Sequence, residues 1–398
     1  MGEQTRPAPA ATSRGSDLLS LGSFVILGLP DGMLGTAWPS MRATFGAPVG
    51  DLGLILLLST VGSVLVTAFV GRLIRRLGVP TLIAVAGGVA ALGFAGFAVA
   101  PGLWLTLAVA VLIGMSAGMM DGGLNTAVAL TGRARLLNLL HGAYGIGTAI
   151  GPLVVTAAIL TGSWRPAYVV QAALDLVLVA LWLHQRRRVR ASTGSAVPAP
   201  AAPVPHPSAQ WSRRRYGGVL IAGMSVFFLY TGLEVGAGQW EASFARGYLN
   251  LSAGATGLAT FGYWGALTAV RIALAIRPAR LAVVVRWGSG VAVLAAAVIW
   301  WQPGVVVTLL GFVVLGGALA GVFPALIALT PLRLGEQRAH DVIAWQVGAA
   351  AAGAAGLSAL IGLLIGATSL AVLGPALTVL AVAVVVAELI LDRLAPLG

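Results

Sequence analysis

Cysteine is absent from this 398-residue chain, and so is lysine; all 24 basic residues are arginine. Without cysteine there are no disulfides, thiolate nucleophiles or thiolate metal sites. Histidine is scarce as well: His141, His184, His206 and His340 make up the whole set. No two of them are close enough in sequence to suggest a local metal motif, so neither a metal nor a cofactor is expected. Charge of either sign is rare, at 9% of residues, where soluble domains carry about 25%. Hydrophobic residues make up 58% of the chain. No soluble fold hides that much apolar surface, so the solvent this chain suits is lipid.

What is present is a series of apolar stretches, each near the roughly 20 residues that cross a bilayer. They run over 18–42, 49–72, 79–100, 103–131, 136–161, 164–185, 216–245, 252–276, 279–301, 304–331, 339–366 and 368–391. The expected fold is an all-α membrane protein of twelve transmembrane helices. Residues 1–17 read as a polar cytoplasmic tail. The first apolar run is too long for a signal peptide and has no small-residue cleavage pattern, so the tail is expected to be retained. With that tail inside, 21 arginines fall on inner segments and only Arg42, Arg165 and Arg246 outside. This asymmetry predicts an inner-membrane protein with both termini cytoplasmic. The arginines lie between apolar spans and form no separate basic domain, which argues against nucleic-acid binding.

The longest polar stretch, 186–215, holds an arginine run, an Ala/Pro-rich segment and Arg213 to Arg215. It reads as a flexible linker between a six-helix bundle at 18–185 and a second at 216–393. An offset of 203 places Asp31 on Glu234, Gly62 on Gly265, Gly114 on Gly317, Gly118 on Gly321 and Gly145 on Gly348. Parallel six-helix repeats of this kind place a substrate site near the midplane, between the halves.

Acids inside lipid are costly and usually face a cavity. Asp31, Asp121 and Glu234 lie well inside their spans, with Glu241 nearer the outer interface. Asp31 follows Pro30, which removes a backbone donor and is expected to break the first helix there. Its two readings are proton or substrate handling and a structural hydrogen bond. Asp121 and Asn125 share a helix face, either as a cavity carboxylate and amide or as packing polar groups. Asn138 and His141 share a face of the fifth span, where His141 is suited to shuttling protons near neutral pH. Asp31, Asp121, Glu234 and His141 are thus the proton-coupling candidates. Aromatics within spans, namely Tyr230, Trp240, Tyr263, Trp264 and Trp345 with Gln346 beside it, suit flat or ring-shaped solutes.

The stretches Asp31-Gly-Met-Leu-Gly-Thr-Ala-Trp38-Pro39, Asp121-Gly-Gly-Leu-Asn125, Asn138-Leu-Leu-His-Gly-Ala-Tyr144-Gly-Ile-Gly147 through Pro152, Glu234 to Trp240, and Tyr263-Trp-Gly265 stand out together. In them the chain resembles the fucose–galactose–glucose:proton symporter branch of the major facilitator superfamily. The resemblance implies roles in substrate binding and proton coupling for Asp31, Asp121 and Asn125, and draws Trp38, Asn138 and Tyr144 into the substrate-binding set. It implies alternating access by a monomer whose partners are a small solute, protons and the bilayer. Two departures are visible. Leu27-Gly28-Leu29-Pro30 stands where that branch has an Asn-rich run, which lowers cavity polarity. Arg75 stands where the superfamily's loop between helices two and three carries Asp, so a cytoplasmic charge latch must differ. The expected activity is proton-coupled symport of a small polar solute such as a sugar, with proton-coupled export of amphipathic compounds as the alternative. No paired metal ligands or nucleophile elbow point to an enzyme.

Overall fold

The computed structural model describes residues 14–129, 133–192, 213–277 and 279–396. Among them the chain is all-helical, and twelve helical segments are long and apolar enough to cross a membrane. In the N-terminal half these are built from α1 (Arg14–Phe45), α2 (Leu52–Thr67), α4 (Val79–Val99), α5 (Leu103–Ala129), α6 (Ala134–Leu160) and α7 (Arg165–Ser192). The short α3 (Val70–Leu77) links α2 to α4. The C-terminal half has α8 (Arg213–Gly247), α9 (Ala253–Ile276), α10 (Leu281–Trp301), α13 (Glu336–Ala367) and α14 (Leu373–Leu394). Its remaining span, Val305–Leu334, consists of two pieces, α11 (Val305–Leu319) and α12 (Val322–Leu334).

Helix pairing in one half repeats in the other. In the first half α1 packs on α6, α2 on α5, and α4 on both α7 and α5. In the second, α8 packs on α13, α9 on α11, and α10 on both α14 and α11. The halves meet through α1 with α8, α2 with α13, and α6 with α9, a set that maps onto itself when the halves are exchanged. These are two pseudo-symmetric six-helix bundles.

In lipid, burying apolar surface gives helices little reason to associate, so close backbone approach through small residues takes over. The α1–α6 seam does this reciprocally. A Cβ on Gly28 or Gly32 would fall about 2 Å from the Tyr144 or Thr148 carbonyl oxygen, and one on Gly147 about 2 Å from that of Val25. The matching seam in the second half places Gly353 against the Phe228 carbonyl. Phe228 lies 203 residues after Val25, as the repeat predicts, but Gly353 lies 206 after Gly147. Gly348, the expected partner of Gly145, faces open space. The repeat therefore slips by three residues before α13 while the contact itself is kept.

Two expectations are corrected here. The stretch 186–215 is not linker throughout: α7 remains helical to Ser192 and α8 begins at Arg213. Arginine is a good helix former and interacts favourably with a helix C-terminus, so the run at 186–190 prolongs α7. The Ala/Pro segment itself lies outside the described residues. Second, α1 is continuous through Pro30. Proline 30 cannot donate to the Ile26 carbonyl four residues back. The Gln171 side chain of α7 donates there instead, at 3.2 Å.

The break sits in the tenth span. Pro324 cannot donate to the Ala320 carbonyl, and the helix divides at Ala320–Gly321. The freed carbonyls still need partners in lipid. Arg271 Nε of α9 donates to Ala320 at 3.1 Å, and the Tyr230 hydroxyl of α8 donates to Leu319 at 2.6 Å.

Gly147→Ala is expected to lower the stability of the detergent-purified protein by about 1–3 kcal/mol through overpacking against Val25. Gly88→Ala, where a Cβ meets nothing within 4 Å, is expected to be neutral or stabilising. Thermal melts of the two variants beside the parent read the difference directly.

Candidate functional site

A cavity of about 190 Å³ lies between the two halves. Its wall takes Asp31 from α1, Ser59 and Thr60 from α2, Tyr144 and Thr148 from α6, Glu234 and Gln239 from α8, and Trp264, Thr268 and Arg271 from α9. Apolar surface comes from Leu56, Val235, Leu267, Ala354 and Ala355. The acid from the first helix of each half thus reaches one chamber, as the repeat predicts.

Each charged group is held by a neighbour. The Tyr144 hydroxyl donates to the Asp31 carboxylate. The Tyr230 hydroxyl, fully buried, contacts the Glu234 carboxylate as well as the Leu319 carbonyl. Tyr263 donates its hydroxyl to the Glu234 backbone carbonyl at 2.7 Å. Arg271 approaches Glu234 at 3.6 Å, a partly buried ion pair. At that distance it is looser than a direct charge-assisted hydrogen bond of about 2.8 Å.

Asp121 lies outside the cavity wall. Its carboxylate accepts from the Asn125 amide at 2.9 Å, and His141 is close enough to interact with its charge. Tyr144 feels both Asp31 and Asp121, and His141 feels Arg271. Of the four proton-coupling candidates, Asp31 and Glu234 thus share the chamber, one from each half, while Asp121 and His141 interact with each other off its wall.

The aromatic candidates separate by placement. Tyr144 and Trp264 line the cavity. Trp38 and Trp240 are fully buried off it, with their indole N–H groups donating to the carbonyls of Val49 and Ser358. Tyr230 and Tyr263 stand behind Glu234 and do not line the wall. Gln346 accepts from Thr330 at 3.0 Å within the second half, and Trp345 is 61% exposed away from the cavity. The side chain of Asn138 lies outside the described residues. Glu241 is fully buried, and neither of its carboxylate oxygens has a partner.

Arg271 and Gln239 are cavity residues the sequence reading did not single out. Arg271 was counted with the inner-face arginines, yet it sits within the α9 span Ala253–Ile276. The available signal was an arginine five residues before the end of an apolar run. The other described ion pairs, like Arg271–Glu234, stay within their own halves: Arg133 with Asp17 at 2.5 Å, and Arg286 and Arg333 with Asp392. Arg75 enters none of the described ion pairs.

The halves touch closely at the end distant from the chain termini. There a Cβ on Gly53 would lie 3.2 Å from that of Ala359, and one on Gly50 would meet the Gly362 carbonyl at 2.6 Å. Deeper in, Gln239 donates to the Asp31 backbone carbonyl at 2.8 Å, and Thr268 to that of Gly145 at 2.8 Å. Asp31, Asp121 and His141 keep exposed side-chain surface. The chamber is therefore closed at the distal end and opens toward the termini.

A profile of the Major Facilitator Superfamily matches residues 20–358. The chain belongs to the Major Facilitator Superfamily. Among solved structures it is similar to a D-xylose–proton symporter, with a TM-score of 0.76, 14% identity, and 96% of this chain and 98% of the other covered. It is also similar to a variant of the nucleoside transporter NupG, with a TM-score of 0.68, 15% identity, and 95% and 99% covered. At such identities the likeness is one of fold. Comparison with curated proteins yields no match. The family and the fold make this chain a membrane transporter.

Arg271→Met strands the Glu234 charge and takes the donor from Ala320. It is expected to destabilise the protein by on the order of 3 kcal/mol. Adding Glu234→Gln is expected to recover part of that loss, the remainder reflecting the unpartnered carbonyl. Chemical melts of the two single variants and the double variant give the coupling.

Proposed function

We propose that this transporter carries a small polar solute, such as a sugar, by proton-coupled symport, with the two bundles alternating access to the chamber. The carrying observation is the chamber itself: Asp31 and Glu234, one from each half, face a space of about 190 Å³ ringed by hydroxyl, amide and indole groups. Drug-sized ligands occupy pockets of about 300–1,000 Å³, so the size favours a small solute over an amphipathic drug. The likeness in fold to a D-xylose–proton symporter agrees with this reading. The arginine asymmetry supports a bacterial cytoplasmic membrane with both termini inside, and the protein acts as a monomer.

Protons bind among Asp31, Asp121, Glu234 and His141. Neutralising these groups lowers the cost of moving them as the cavity closes. Solute contacts fall to Tyr144, Trp264, Gln239, Thr148 and Thr268. The second reading, proton-driven export of amphipathic compounds, draws on the apolar part of the wall at Leu56, Val235 and Leu267. The direction of the pH gradient that drives flux separates the two.

In proteoliposomes, an inward proton gradient is expected to drive sugar accumulation. Asp121→Asn and Asp31→Asn are each expected to abolish that drive. Gradient-driven uptake that survives both variants refutes the coupling assignment.

The cysteine-free chain also permits a test of alternating access. Gly53→Cys with Ala359→Cys places two thiols on facing helices of the distal contact, where a Cβ on Gly53 meets the Ala359 Cα at 2.7 Å, so the contact gives slightly as the disulfide forms. Oxidation is expected to stop transport and reduction to restore it. Full transport in the cross-linked protein rules out opening at that end.

A further inference from the structure

The cation in the chamber bears on the kind of solute carried. Arg271 lines the cavity and is anchored from behind, its Nε committed to the Ala320 carbonyl at the break in the tenth span. Its NH2 end faces Glu234 at 3.6 Å, beyond a direct hydrogen bond, and Glu234 has the Tyr230 hydroxyl as a second partner. The charged and titratable groups around the guanidinium are Glu234 and Tyr230 on α8, the Tyr230 hydroxyl also reaching the guanidinium, Tyr263 on α9, and Tyr144 and His141 on α6. Asp31 stands on the opposite wall, held by Tyr144 and cross-linked to the second half through Gln239.

A guanidinium fixed by one nitrogen, with its other end loosely paired in a small hydroxylated chamber, is a carboxylate receptor whose natural occupant is exchangeable. From this arrangement we infer that the solute is a hydroxylated monocarboxylate of sugar size, and that its carboxylate takes the place of Glu234 on Arg271. The inference rests on the proton-coupled transport proposed above and specifies its substrate class. One proton moves from solution onto Glu234 as the solute carboxylate binds. No bond other than that O–H forms. The empty site holds the Glu234–Arg271 pair, and the loaded site holds neutral Glu234 with the solute–Arg271 pair. At this pair the net charge is the same in both states, so neither the empty nor the loaded carrier brings an extra charge across the lipid interior.

D-galacturonate and D-galactose form a matched probe pair, differing only in a carboxylate where the other has a hydroxymethyl group. Isothermal titration of the detergent-purified full chain with each sugar, in two buffers of different ionisation enthalpy, gives affinity and proton uptake together. Tighter binding of galacturonate is expected, with about one proton taken up per molecule bound. Arg271→Gln is expected to weaken galacturonate binding by roughly ten- to a hundredfold, the loss of a hydrogen bond between charged groups, and to weaken galactose binding by a smaller factor. Glu234→Gln is expected to keep galacturonate binding but lose the proton uptake, a readout that a merely structural role does not move. If galactose binds as well as galacturonate, or galacturonate binds without proton uptake, the carboxylate inference is overturned and proton-coupled sugar transport stands. If neither sugar binds and an inward proton gradient drives no uptake of either, the symport reading falls and this inference with it.

Discussion

Inside a bilayer every backbone carbonyl must find a donor, because there is no water to supply one, and each orphaned group costs several kcal/mol. That constraint organises the centre of this protein. Pro324 removes a donor in the tenth span, and the gap is filled from two neighbouring helices, by Arg271 and Tyr230. The same two side chains reach Glu234. A local backbone defect therefore helps determine where the cavity-lining Arg271 and its acid stand. Pro30 poses the same problem in the first span, but Gln171 answers it from a helix away from the chamber, and α1 stays intact. Two prolines with the same chemistry thus have different consequences: each freed carbonyl gains a side-chain donor, but only the tenth span divides.

The glycines supply the second half of the architecture. Small-residue seams between α1 and α6 and between α8 and α13 make each bundle a firm unit. The bundles also meet through small residues, with close approaches at Gly53 and Ala359, Gly50 and Gly362, Gly35 and Gln239, and Gly257 and Thr156, and through two hydrogen bonds deeper in. Two firm bundles that meet along a set of seams related by the exchange of halves suit rigid-body rocking about a central site. Asp31 belongs to both aspects, since its carboxylate faces the chamber while its backbone carbonyl is one of the bonds holding the halves together.

Much of the fold was legible in the sequence. Twelve apolar runs of bilayer length, the near-absence of charge and the paired acids at Asp31 and Glu234 identified the architecture, and the observed spans fall within a few residues of those read. The extended linker was overdrawn because an arginine run is polar yet helix-forming. The glycine correspondence at Gly145 and Gly348 failed because a three-residue slip is invisible where glycine is common. The aromatics were the least legible part of the site. Trp38, Trp240 and Trp264 look alike in sequence, yet two are consumed in packing and one faces the chamber. Helix rotation makes that choice, and an all-apolar span carries no periodic pattern from which to read it.

By itself, the sequence determined that the chain lives in lipid, how many times it crosses, and that two homologous halves bring an acid each, because hydropathy and rare charges are properties of composition and spacing. Only the tertiary structure decided that Arg271 is a cavity residue, that the tenth span breaks and the first does not, and that the chamber is shut at the end away from the termini. Those outcomes depend on which donor meets which freed carbonyl across helices distant in sequence, and no window along the chain contains both partners.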